Sequence, residues 1–266
     1  MAPASTESWQ IPELGPSLGR LVDPPLVRAD RGVLELVLFD IDGTILLTAG
    51  AGRRAIVAAI SEEVGSSSAL NQVRFDGKTD PQIVTELLEA AGQPGPHAPD
   101  RVKAICSRYV TLLRHELNEP ESRTTIMPGV LPLLDRLEQE NVLLGLLTGN
   151  MAEGAALKLR AGGIDPERFP VGAYGSDSAH RPELPQIAAR RAEPYFGRVP
   201  CGSEVVIIGD TPADIACGEC IEARAIGVAT GAYSVADLMS CTPHAAFQNL
   251  SDTDRVIEAI LGPRIN

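Results

Sequence analysis

The chain has 266 residues, 44% of them hydrophobic, which is enough for a sizeable core in one or two domains. Thirty-five acids against 23 bases leave a net charge of −12, which argues against a nucleic-acid backbone or an anionic membrane surface as partner. No run approaches the roughly 18 apolar residues of a membrane span, and the five scattered cysteines, an odd number, point to a reducing cytoplasm.

Residues 1–32 begin MAPASTESWQIPELGPSLGR, rich in Pro and Gly, and read as a loose arm rather than a signal peptide. The first regular element is the apolar run LVLFD at 36–40, which ends in two acids, Asp40 and Asp42. Helix-like segments follow, with stripes at i, i+3/i+4 spacing: Ile56, Ala59, Ile60 and Val64; then Ile83, Leu87, Leu88 and Ala91; then Val102, Ile105, Tyr109, Leu112 and Leu113. Joints such as GQPGPHAP separate them. In RFDGKTDPQI, Lys78 and Thr79 sit in a polar turn before a helix whose start is marked by Asp80-Pro81, a place where an anionic substrate can be met. Asp76 and Asp80 read as turn and cap residues.

A helix with Pro in its first turn is expected at 128–140, facing the core with Val130, Leu133, Leu134 and Leu137. Further strands are expected at 143–149, 169–175, 205–210 and 223–230. Continuous apolar runs of this length suit strands covered on both faces, and their alternation with helices predicts a parallel α/β sheet with helices on both sides. The domain reading is an arm at 1–32, an α/β core at 33–48 and 126–266, and an inserted helical unit at 49–125.

In such a sheet, ligands bind outside the carboxyl ends of the strands. Three of these strands end in groups suited to phosphate and metal chemistry: Asp40-Ile41-Asp42-Gly43-Thr44, Thr148-Gly149-Asn150, and Gly209-Asp210 followed by Asp214. Together they carry the resemblance. The chain resembles the haloacid dehalogenase-like (HAD) superfamily on its phosphatase side, the phosphoglycolate phosphatase and β-phosphoglucomutase group. Asp40, Asp42, Gly43 and Thr44 match the DxDGT motif; Thr148 matches the second motif; Gly209, Asp210 and Asp214 match GDxxxD.

The resemblance covers residues 33–262. It implies a Rossmann-like core, an α-helical cap over the site, and Mg²⁺ as cofactor. The ion's ligands would be the Asp40 carboxylate, the Asp42 backbone carbonyl and Asp210, with Asp214 bound directly or through a neighbour. Asp40 is then the nucleophile and Asp42 the general acid and base. Gly43, Thr44, Thr148, Gly149, Asn150 and Lys78 are the expected phosphate- and substrate-binding residues. The third motif, a cation beside the nucleophile, has two candidates: Arg181, which with Pro182 stands where the family usually has Lys-Pro, and Lys158 on the helix after Thr148. Arg181 is favoured on position, although Arg offers a planar fork where Lys offers a point charge. The implied substrate is a small phosphorylated metabolite. The rival readings are a phosphomutase of the same family and a HAD-like binding or regulatory protein without turnover.

Overall fold

A computed structural model describes residues 35–262, so the arm at 1–32 lies outside the described residues. The chain runs through β1 (Glu35–Phe39) and the short β2 (Leu46–Leu47) into α1 (Ala51–Val64), α2 (Asp80–Ala90) and α3 (Pro99–Glu116). It returns through the short β3 (Thr125–Ile126) to α4 (Val130–Leu137), β4 (Val142–Thr148), α5 (Ala152–Ala161) and β5 (Val171–Tyr174). Then come α6 (Leu184–Phe196), β6 (Val205–Gly209), α7 (Pro212–Cys217), β7 (Arg224–Val228), α8 (Val235–Ser240), β8 (Ala245–Phe247) and α9 (Thr253–Leu261).

Six strands form one parallel sheet in the order β5-β4-β1-β6-β7-β8. The period-2 alternation of a strand, with both faces covered, explains why β1 is apolar from Leu36 to Phe39. Val37 and Phe39 face a layer containing Val130 and Leu134 of α4, Leu159 of α5 and Ile260 of α9. Leu36 and Leu38 face the other layer, with Leu184, Ala188 and Ala192 of α6. Each Leu buried this completely contributes roughly 1.5–3 kcal/mol relative to exposure.

Helices α1–α3 bury a separate apolar cluster that includes Ile56, Ile60, Leu87, Leu88, Tyr109 and Leu113. The antiparallel pair β2–β3 aligns Leu46 with Ile126 and Leu47 with Thr125, so the chain leaves for these helices and returns at one place.

Three details differ from the sequence reading. Strand β8 was not expected; its three residues are only half-buried at the sheet edge, which leaves a weak apolar signal. The expected stretch without strands ends in the two-residue β3. Helix α4 starts after Gly129, whose φ of 86° is left-handed, so Pro128 stays outside the first turn.

Candidate active site

Strands β4, β1 and β6 are neighbours in the middle of the sheet and run parallel, so their carboxyl ends emerge at the same edge. That topology brings Asp40, Thr148 and Asp210 together from positions far apart in sequence. The backbone N–H of Asp40 donates to the Ile208 carbonyl at 2.9 Å, extending the ladder as far as Asp40.

The turn after β1 is tight: Thr44, Ile45 and Leu46 all donate their N–H to the Ile41 carbonyl. Gly43 at its apex has φ 87°, and a Cβ there would lie 2.4 Å from Asp210 Oδ2. Only glycine lets the two loops approach this closely. The Thr44 hydroxyl donates to Asp210 Oδ1 at 3.3 Å.

Asp40, Asp210 and Asp214 are buried and each offers an oxygen within 4.8 Å of the others. Burial, then the Asp214 charge, holds both Asp40 and Asp210 well above the usual carboxylate range; Arg181 pulls Asp40 part of the way back. Three oxygen donors with this excess negative charge fit a divalent cation. Asp214 is already engaged. Its Oδ2 accepts from the Thr211 N–H at 2.9 Å and hydroxyl at 2.7 Å, closing a capping box at the start of α7, and its Oδ1 accepts from Arg181.

The two candidate cations both reach the site, at different acids. Arg181, buried in a short 3₁₀ turn before α6, donates from Nη2 to Asp40 Oδ1 at 3.2 Å and to Asp214, and its Nε has no partner among the described residues. Lys158, buried on α5, donates to Asp42 Oδ1 and Oδ2 at 2.8 and 2.6 Å and to Asn150 Oδ1 at 2.6 Å. The Asn150 amide closes the clamp, donating to Asp42 Oδ2 and to the Thr148 hydroxyl, both at 2.8 Å.

Helices α1–α3 form the opposite wall of a cavity of about 530 Å³, whose lining includes Asp40, Asp42, Gly43, Thr148, Gly149, Asn150, Lys158, Arg181 and Asp210. Thr44 and Asp214 stand behind the sheet side of the lining and touch it through Asp210 and Arg181. Lys78 lines the cavity with its ammonium paired to Glu86. The turn that carries it docks on the core. Asp80 N–H donates to the Gly149 carbonyl at 2.7 Å, and a Cβ on Gly149 would lie 2.1 Å from the Lys78 carbonyl oxygen.

Asp80 exceeds its expected capping role. It is buried, accepts from the Met151 N–H at 2.7 Å, and burial raises it to about 6 against the pull of Lys158. The cavity residues Arg53, Phe75 and Tyr109 were also missed. Tyr109 lay hidden in an apolar stripe. Arg53 left one signal: a cation in the first turn of a helix, where the dipole disfavours positive charge.

A sequence profile of the haloacid dehalogenase-like hydrolases matches residues 37–228. A phosphoglycolate phosphatase of Cereibacter sphaeroides is 27% identical over 229 residues, covering 85% of this chain and 98% of its own length. Among solved structures, CbbY of Rhodobacter sphaeroides in complex with phosphate aligns with TM-score 0.64 at 19% identity, over 82% of this chain and 96% of its own. A β-phosphoglucomutase of Clostridium difficile aligns with TM-score 0.64 at 16% identity, over 86% and 97%. Among the described residues no helix is long and apolar enough to cross a membrane. With the profile spanning most of the chain and the motif residues gathered at one sheet edge, the chain belongs to the haloacid dehalogenase-like hydrolases, on their phosphatase side.

Proposed function

We propose that the chain is a Mg²⁺-dependent phosphatase acting on a small phosphomonoester, phosphoglycolate- or sugar-phosphate-like, through an aspartyl phosphate on Asp40. One observation carries this reading: two carboxylates two residues apart enter one cavity with separate cationic partners, Asp40 on Arg181 and Asp42 on Lys158. Such separation suits two different tasks. A carboxylate oxygen of Asp40 attacks phosphorus, the bond from phosphorus to the ester oxygen breaks, and Asp42 delivers a proton to the departing alkoxide. Water then attacks the acyl phosphate, Asp42 takes its proton, and inorganic phosphate leaves with Asp40 restored. Arg181 offsets charge at the nucleophile, while Thr148 and the neighbouring backbone hold phosphate oxygens.

Asp40, Asp210 and the Asp42 carbonyl would hold Mg²⁺, with Asp214 acting through Arg181 and the carboxylate cluster. When bound, the ion offsets the repulsion between the carboxylates and the phosphate dianion. The helical unit at 49–125 is read as the cap that closes the cavity from water, and the cytoplasm as the site of action.

The test is phosphate release from an aryl phosphate with and without Mg²⁺. Asp40→Asn is expected to lower turnover by at least about 10³-fold while the fold persists. Turnover that survives this change or excess chelator overturns the mechanism. Conversion of a sugar 1-phosphate to its 6-phosphate without phosphate release would reassign the chain to the mutases.

A further inference from the structure

We propose that Arg53 reads a second anionic group on the substrate, a carboxylate or a second phosphate, at the end away from the reacting phosphoryl group; this rests on the phosphatase reading above. The argument begins with charge pairing inside the cavity. Arg74 is paired with Asp76 at 3.0 Å, Lys78 with Glu86, Lys158 with Asp42 at 2.6 Å and Arg181 with Asp40 at 3.2 Å. Arg53 lines the same cavity, yet among the described residues no carboxylate lies within ion-pair distance of it.

Its position makes that pairing gap costly. Arg53 stands in the first turn of α1, where no acidic residue offsets the positive end of the helix. The adjacent Arg54 has the same problem and resolves it through Glu116 at 2.7 Å and the Ala49 carbonyl at 2.8 Å. In a chain of net charge −12, a guanidinium left uncompensated at such a place is best explained by an anion that arrives with the ligand.

Arg53 is also oriented in advance. Its Nη2 donates to the Val73 carbonyl at 2.5 Å and its guanidinium carbon lies 4.0 Å over the Phe75 ring. These contacts fix the plane of the fork, and among the described residues Nε and Nη1 have no hydrogen-bond partner. A planar, fixed pair of donors suits a carboxylate or phosphate edge. The cavity of about 530 Å³ has room for a phosphomonoester of a few carbons between Arg53 and Asp40.

The experiment compares matched substrate pairs with wild type and Arg53→Gln: phosphoglycolate against ethyl phosphate, and fructose 1,6-bisphosphate against fructose 6-phosphate. For at least one pair, the wild type is expected to favour the member with two anionic groups. Arg53→Gln should raise KM for that member by about 10- to 100-fold and leave its partner, which lacks the second anionic group, within about twofold. Arg53→Lys should recover part of the loss, because charge returns without the fork. The pair that responds tells carboxylate from phosphate. Equal loss on both members of each pair, or a wild type without preference, overturns the inference. Calorimetric binding of the same compounds to Asp40→Asn separates the two ideas. If that preference depends on Arg53 while the wild type hydrolyses nothing, the subsite stands and the phosphatase reading falls. Should Arg53→Gln fail to fold, Phe75→Leu, which removes the ring under the guanidinium, is expected to shift the same ratio in the same direction.

Discussion

On the sheet side of the cavity, charge is buried and crowded: Asp40 and Asp214 share Arg181, and Asp210 beside them accepts from the Thr44 hydroxyl. On the helical side, charge is mostly half-exposed and paired singly, as in Arg74–Asp76 and Lys78–Glu86. Strand ends fixed by the ladders of a six-stranded sheet can hold carboxylates against their mutual repulsion, which is what a reaction centre needs. Helices that pack through their own apolar cluster meet the core through few polar contacts, and such a wall can vary its side chains without disturbing the chemistry. The comparison assigns reaction to one wall and recognition to the other, and it can be broken from either side.

The severest break is Arg181→Met. It leaves Asp40 and Asp214 buried without their shared guanidinium, and removing one partner of a buried charge group costs about 3–5 kcal/mol. Denaturant unfolding should show a loss of this size, with turnover falling as well. Added Mg²⁺ should recover part of the stability, since a cation at the carboxylates replaces some of the missing charge. A change below about 1 kcal/mol would mean that these carboxylates do not depend on Arg181.

Lys158→Met probes the second cation, which touches Asp42 and leaves Asp40 alone. If Lys158 acts by holding Asp42 in place, turnover should fall by about 10²-fold, the scale of a misplaced catalytic group. The loss should be larger for an alkyl phosphate, whose leaving oxygen needs a proton, than for p-nitrophenyl phosphate, whose leaving group does not. Asp42→Asn should give the same leaving-group profile. Equal losses on both substrates would place Lys158 at the phosphate, among the groups of the sheet wall that serve Asp40.

This division also decides what could be read from the sequence. The carboxylates were legible because a buried strand that ends in Asp40-Ile41-Asp42 is an electrostatic anomaly with few explanations, and two more strand ends repeat the theme. The central sheet was legible for a related reason, since runs covered on both faces are apolar without interruption. Arg181 and Lys158 were legible as candidates only; which acid each touches depends on α5 and the turn before α6 in three dimensions. Asp80 read as a helix cap because a buried carboxylate and an exposed one look alike in sequence. Tyr109 was submerged in apolar patterning that serves the core equally well, and Phe75 stood alone in the polar segment RFDGKTDPQI.

Asp80 is the sharpest test of the contrast, because it is a buried carboxylate supplied by the helical wall. Burial raises it to about 6 from an ordinary 3.8; Lys158 and the Met151 N–H pull it down, and Asp42 pushes it up. The sign follows from proton binding. Between pH 4 and 6 the folded chain holds more proton at this position than the unfolded chain does, so this contribution to stability is lost as pH rises and is level above about 7. Asp80→Asn keeps an acceptor for the Met151 N–H and carries no charge to bury. The variant should therefore match the wild type near pH 4 and exceed it by about 1–3 kcal/mol at pH 7.5, measured by urea unfolding across pH 4 to 8. A gap independent of pH would mean that Asp80 ionises in the fold at no cost. The helical wall would then hold charge as easily as water does, and the buried, crowded electrostatics would belong to the sheet alone.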